Sequence, residues 1–155
     1  SKDPAWTIWW PKNRPCIFTP HPGEMARLLR SRIASTATER VTQVEDLQQK
    51  TSGVCLLKGA QTLVCGAEQT YQNTTGGPSL AKAGSGDVLA GVIAGLWAQA
   101  GSQKGFLNTA LPAACCGVYL HGLAGDLAAR KRTDYGVLAR DTAACVPEAF
   151  GEILK

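Results

Sequence analysis

Histidine is scarce in this chain. His21 and His121 are the only two, and neither has a second histidine or a cysteine at ligand spacing. A zinc-type centre built from side chains is therefore not expected. Cys-x-x-Cys pairs are absent too. Cys16, Cys55, Cys65 and Cys145 are scattered, and Cys115 and Cys116 are neighbours in an apolar run. Buried, reduced thiols in a cytoplasmic protein are the simplest account. No uninterrupted apolar span is long enough for a membrane and no signal peptide is recognised, so neither is expected. Charge is low, at 18% against 45% hydrophobic residues, which excludes a disordered chain and calls for a packed core. The net charge is a mild +4. The one basic run, Arg130-Lys-Arg132, falls where a helix should end and complements its dipole, so no nucleic-acid partner is expected. Two phosphate signatures are missing as well. There is no Gly-x-x-x-x-Gly-Lys-Ser/Thr loop, and Gly84, Gly86 and Gly91 are spaced wrongly for the dinucleotide fingerprint.

What is present reads as one domain over 1–155. Residues 1–14 carry Trp6, Trp9, Trp10 and two prolines without periodicity, and a short strand is expected at Trp6–Trp10. Cys16–Thr19 is an apolar run bounded by prolines, hence a buried strand. Glu24–Arg30 has helical spacing, with Met25, Leu28 and Leu29 on one face. Thr42-Gln-Val-Glu45 matches a capping box and predicts a second helix through about Lys50. Strands follow at Gly53–Leu57, Leu63–Cys65 and Gln69–Gln72, with a hairpin turn at Lys58–Thr62. Gln99–Lys104 reads as a polar loop, and Leu107–Arg130 as one or two helices interrupted or started at Pro112. Asp134-Tyr-Gly136 reads as a turn. A last helix follows with Asp141 near its start and Val146, Phe150 and Ile153 inward. Alternating strands and helices argue for an α/β fold with a largely parallel sheet.

The chain is organised around Asn73–Gly91, a polar, turn-forming loop that runs into the apolar stretch Val92–Ala98. This predicts a flexible loop ending at the start of a buried helix. The first amides of a helix lack partners within it and carry its positive end, which suits an anion. Asp87 places a carboxylate beside that position. The bland account is an acid that merely stabilises a helix start, by roughly 0.3–1 kcal/mol. Flanking glycines and the long preceding loop favour a working base instead. Thr19-Pro-His-Pro-Gly-Glu24 is either a rigid strand-to-helix turn or a way of aiming His21 at the sheet edge where open α/β sheets bind ligands. Leu57-Lys-Gly-Ala-Gln-Thr62 is either an ordinary turn or one that presents Lys58 to a phosphate.

Taken together, Thr19–Glu24, Leu57-Lys-Gly-Ala60, Gly84-Ser-Gly-Asp87-Val-Leu-Ala-Gly91, His121-Gly-x-x-Gly-Asp126 and Gly136–Asp141 resemble the ADP- or ATP-dependent NAD(P)H-hydrate dehydratases of the ribokinase-like superfamily. The resemblance runs from about Cys16 to the C-terminus. It implies a three-layer α/β/α sandwich with a mostly parallel sheet. It also implies a lyase that breaks a carbon–oxygen bond, returning hydrated NADH or NADPH to NADH or NADPH by phosphorylating the added hydroxyl and eliminating phosphate. By resemblance, Asp87 is the base and also meets the substrate, and His21 contacts the hydrated nucleotide. The amides of Gly84, Ser85 and Gly86 form the anion hole. Lys58, Gly59, Ala60, Gln61 and Thr62, with Gly77, Pro78, Ser79, Leu80, Ala81, Lys82, Ala83, Gly84, Ser85 and Gly86, line the site for ADP or ATP. Mg²⁺ accompanies the nucleotide. The family's N-terminal half has no counterpart here, and Asp3–Trp10 does not match the Asp-x-Asp segment usual before the His-Pro-Gly-Glu strand. A C-terminal part of such an enzyme is therefore expected, with exposed sheet edges favouring a homo-oligomer. The alternatives are a vitamin or sugar kinase of the same superfamily and a non-catalytic nucleotide-binding fragment.

Overall fold

The computed structural model describes residues 14–155. The strand expected at Trp6–Trp10 lies outside the described residues. In chain order the elements are β1 (Ile17–Phe18), α1 (Pro22–Leu29), α2 (Ala37–Thr51), β2 (Val54–Leu57), β3 (Leu63–Cys65) and β4 (Thr70–Gln72). A 3-10 turn at Pro78–Leu80 leads into α3 (Ser85–Lys104), α4 (Phe106–Gly136) and α5 (Ala139–Ile153).

The four strands form one sheet in the order β1-β2-β3-β4. β1 runs parallel to β2, with Ile17 opposite Val54 and Phe18 opposite Cys55. β2–β3 and β3–β4 are antiparallel. The parallel crossover and the hairpin expected at Lys58–Thr62 are thus both present. Among the described residues, however, antiparallel pairing prevails over the largely parallel sheet expected. β1 is half-buried rather than fully buried, and among the described residues it is an outermost strand of the sheet.

β2 shows why the fold has three layers. All four of its residues are buried, and successive side chains of a strand point to opposite faces. Val54 and Leu56 pack with Leu89 and Ile93 of α3 and Ala114 and Val118 of α4. Cys55 and Leu57 pack with Met25 of α1 and Val44 and Leu47 of α2. A strand covered on both faces reads as a continuous apolar run, as this one does. α5 closes a third cluster, with Cys145 and Ala149 against Leu120, Ala124 and Leu127. No helix among the described residues is long and apolar enough to cross a membrane.

Several local expectations are corrected. α2 begins at Thr36, not Thr42: Thr36 Oγ1 accepts from Glu39 N at 3.2 Å, and Thr42 Oγ1 donates to Thr38 O inside the helix. Thr36-Ala-Thr-Glu39 carries the same pattern earlier in the chain, and starting there adds more than a turn of helix. Gln99–Lys104 is helical, not a loop, because Trp97 anchors the end of α3. Its indole Nε1 donates to Phe106 O at 2.8 Å and its ring meets Phe106 edge-on. Pro112 sits inside α4 without ending it, and the break in that helix falls at Thr133, with φ 64° and ψ 160°. Asp134–Gly136, expected as a turn, is a last helical stretch beyond this break. On α5 the inward residues are Thr142, Cys145 and Ala149, with Val146 half-buried, whereas Phe150 and Ile153 are exposed. Small side chains face the alanine-rich α4, so the large ones are turned outward. Finally, α3 is buried on one side only: Asp87, Ala90, Gly91, Ala94, Gly95 and Ala98 are exposed.

Candidate functional site

The His-Pro-Gly-Glu turn follows β1 and is tied to the end of β2 by Lys58 N donating to Pro20 O at 3.0 Å. His21 caps α1. Its Nδ1 accepts from Gly23 N (3.1 Å) and Glu24 N (3.3 Å), while Glu24 Oε2 accepts from His21 N at 2.7 Å. This reciprocal arrangement satisfies the helix's first amides. Accepting at Nδ1 fixes the His21 proton on Nε2, which lies 3.4 Å from Glu24 Oε1. Glu24 Oε2 is also 3.8 Å from Lys58 Nζ. Burial pushes the Glu24 carboxyl up, but the His21 amide and the Lys58 ammonium outweigh it, so its pKa is lowered. The turn is therefore rigid, and it orients both His21 and Lys58.

The Lys58–Thr62 turn is tightly shaped, with Gly59 at φ 140° and Gln61 at φ 55°. Arg40 of α2 holds it from outside, donating to Ala60 O at 2.7 Å and Gln61 O at 3.4 Å. Lys58 Nζ lies only 3.1 Å from where a Cβ on Gly86 would stand. The ammonium thus sits against the first turn of α3, and a side chain at Gly86 would displace it.

The loop from Asn73 to Gly84 is laid along α4 by side chain to backbone bonds. Asn73 Nδ2 donates to Thr75 O (2.9 Å) and Val118 O (3.4 Å), and Thr75 Oγ1 donates to Tyr119 O at 2.8 Å. Asp126 Oδ2 accepts from Gly76 N at 2.9 Å, and Ser79 Oγ donates to Gly125 O at 3.4 Å. Lys82 Nζ reaches across to Asp134 O (2.9 Å) and Tyr135 O (2.8 Å). Gly122 is needed for the close approach, since a Cβ there would meet the Thr75 backbone at 2.7 Å. Gly84 takes the left-handed conformation that starts α3, and no side chain caps that helix start. Ser85 N is already engaged with Lys82 O at 3.2 Å.

These pieces enclose a cavity of about 730 Å³, within the range usual for small-molecule sites. Of the residues expected at the site, it is lined by His21, Lys58, Gly59, Ala60, Gln61, Thr62, Gly77, Pro78, Leu80, Ala81, Lys82, Ser85 and Gly86. Ser79, Ala83, Gly84 and Asp87 are not in the lining. Ser79 is buried behind the loop, and Asp87 is exposed on the opposite side of the first turn of α3 from Ser85. The lining also takes in Asn73, Thr75, Gly76, Leu89, Val118, His121 and Gly122, to which sequence reasoning gave no role. His121 could have been noticed as a lone imidazole in a run of alanine, glycine and cysteine. It is buried, with Nε2 3.3 Å from Ser85 Oγ. Burial lowers its pKa, partly offset by the Ser85 backbone, so the ring is neutral near pH 7.

The charge of the lining is one-sided. It contains Lys58 and Lys82 and no carboxylate, so an anionic ligand fits it. Among the described residues no group of three His, Cys, Asp or Glu side chains could hold a metal. Two of the thiols are poor nucleophiles: burial pushes Cys55 up to about 12 and Cys115 up to about 11.

A family model described as NAD(P)H-hydrate dehydratase matches residues 9–148. The chain is 46% identical over 128 residues to a bifunctional NAD(P)H-hydrate repair enzyme of Moorella thermoacetica, covering 82% of this chain and 23% of that protein. It is 40% identical over 112 residues to an ADP-dependent (S)-NAD(P)H-hydrate dehydratase of Neisseria meningitidis, covering 72% of this chain and 36% of that protein. Among solved structures it resembles an ADP/ATP-dependent NAD(P)H-hydrate dehydratase of Bacillus subtilis, co-crystallised with ATP/Mg²⁺ and soaked with CoA. The TM-score is 0.75 at 28% identity, over 89% of this chain and 49% of that one. A ribokinase-like superfamily protein of Enterococcus faecalis gives 0.69 at 33% identity, over 88% and 44%. The fold is ribokinase-like. The chain spans about a quarter to a third of the length of these curated relatives and about half of these solved chains.

Proposed function

The chain belongs to the NAD(P)H-hydrate dehydratase family, and we propose that it binds ADP or ATP in the 730 Å³ cavity and serves the nucleotide-dependent dehydration of hydrated NADH or NADPH. One observation carries this: two lysines and no carboxylate line a cavity bounded by Lys58–Thr62, Gly77–Lys82 and the start of α3. Lys58 and Lys82 offset phosphate charge. The helix start adds its positive end, and Gly86 lets the phosphate come close to the backbone. Gly84, Ser85 and Gly86 form the anion hole, with the Ser85 amide leaving Lys82 O as the phosphate arrives.

His21 meets the hydrated nicotinamide nucleotide at the mouth, held by Glu24. Asp87 takes the hydroxyl proton while the hydroxyl oxygen bonds the nucleotide's terminal phosphorus and the shortened nucleotide leaves. Phosphate then departs with the carbon–oxygen bond, a proton leaves the neighbouring carbon, and the double bond is restored. Such transfers depend on positioning and charge stabilisation more than on covalent help. Residues 1–155 act as one domain in the cytoplasm. Association into a homo-oligomer belongs to the same reading.

The test is direct. Incubate the protein with hydrated NADH and ADP or ATP, follow recovery of NADH absorbance, and measure nucleotide binding separately by calorimetry. Recovery with either nucleotide supports the dehydratase. Binding without recovery supports the second reading, a nucleotide-binding chain without turnover, which is favoured by Asp87 standing outside the cavity lining. No binding overturns both.

A further inference from the structure

We propose that His121 is a positioning residue that turns the Ser85 hydroxyl into a hydrogen-bond donor aimed at the phosphate of the bound nucleotide. This rests on the phosphate-binding function of the cavity and adds to it a residue from α4. Ser85 is the first residue of α3, His121 lies on α4, and each is 6% exposed. Both line the cavity, and Nε2 stands 3.3 Å from Oγ. The two side chains therefore form a buried part of its floor.

A hydroxyl and a neutral imidazole nitrogen can pair in two ways. If Ser85 O–H donates to an unprotonated Nε2, the serine shows only lone pairs to the cavity, and an anion there is repelled. If Nε2–H donates to Oγ, the serine hydrogen is free to point into the cavity and meet the anion. A bond to a charged oxygen is about twice as strong as one between neutral groups, so a phosphate selects the second arrangement. Burial keeps His121 neutral, so what is selected is a tautomer and not a charge. The partner side of the floor is fixed, because Gly122, next in sequence, lets the Thr75 backbone close onto α4. A histidine that only filled the core would be indifferent to which nitrogen holds the proton.

Calorimetry of wild type, His121→Phe, Ser85→Ala, the double variant and His121→Gln, each with MgATP and with adenosine, separates these roles. Either single change should weaken MgATP binding about tenfold, the double variant should be no weaker than the singles, and adenosine binding should be unmoved. His121→Gln, which can present an amide N–H near the Nε2 position, should restore most of the loss. Additive losses, or equal losses for adenosine, overturn the proposal, as does unchanged MgATP affinity in His121→Phe. Failure of the wild type to bind MgATP instead removes the phosphate reading, and this proposal with it. The wild-type protein gives a second answer should a variant not fold. With only two histidines in the sequence, nitrogen-15 spectra of the imidazoles can be assigned directly. His121 protonated at Nε2 in the MgATP complex supports the proposal, and protonation at Nδ1 alone overturns it.

Discussion

One side of α3 lies against α4 and the sheet, and the other faces solvent. Ser85, Leu89, Ile93, Trp97 and Gly101 recur every four residues along the inner side. There Ile93 Cγ1 lies 2.4 Å from where a Cβ on Gly117 would stand, so α4 has a glycine at the crossing. On the outer side Gly91 and Gly95 have nothing within 4 Å of an added Cβ, and Asp87 shares that side. The two sides are almost equally apolar in composition. By this difference, the α3 residues that line the cavity are held by this chain's own contacts, whereas the proposed base stands clear of them. Binding and chemistry should therefore separate under mutation.

The largest effect is expected at Asp87. Asp87→Asn should lower the rate of NADH recovery by about 10²–10⁴-fold, the usual share of a general base. MgATP affinity should stay within error, because Asp87 is outside the cavity lining. A drop in affinity to match the rate would erase the distinction between the two sides.

Next comes the packed side. Gly122→Ala places a methyl 2.7 Å from the Thr75 carbonyl carbon and oxygen and 2.1 Å from its hydroxyl. Backbone cannot step aside as a side chain can, so the variant should lose about 1–3 kcal/mol in urea unfolding. Nucleotide binding should weaken with it, because Thr75 and Gly76 line the cavity.

A pH series tests the buried floor more gently. His121 has a folded-state pKa below its ordinary 6.5, so between the two values the unfolded chain binds more protons than the folded one. Its contribution is complete above 6.5 and is lost as pH falls through that window, at up to about 1.4 kcal/mol per unit of difference. Glu24, also lowered, acts in a separate window below 4.5. His121→Phe should flatten stability in the first window and leave the second. An unchanged slope there would mean that His121 is not shielded from water.

Much of this was legible in the sequence, and the exceptions share a cause. β2 and β3 were found because short apolar runs between turn residues leave few options. The Lys58–Thr62 turn and the Asn73–Gly91 loop stand out because glycine and polar residues lie between periodic elements, whereas Gly77–Gly86 as a nucleotide site is implied by the resemblance alone. Thr42 misleads as the start of α2 because two Ser/Thr-x-x-Glu patterns compete and the sequence does not say which amides need a cap. Hydrophobicity misplaces the inward face of α5 because it ranks Phe150 and Ile153 above Cys145 and Ala149, whereas small groups face α4. His121 has no site role in the sequence reading, beyond its place in the His121–Asp126 motif, because its partner Ser85 is 36 residues away and only the fold brings the two together.

The smallest effect carries the opposite sign. Glycine inside a helix costs roughly 0.5–1 kcal/mol relative to alanine, and that cost is tolerated where two backbones must approach. Gly95 has no such neighbour among the described residues. Gly95→Ala should therefore stabilise the protein by about 0.5–1 kcal/mol, read as a higher urea midpoint at unchanged slope. If the substitution instead lowers the midpoint, a surface that needs the glycine must pack there in solution. A midpoint that also depended on protein concentration would identify that surface as another copy of the chain. The sign at one glycine thus tests whether the outer side of α3, with Asp87 on it, is open in the working protein.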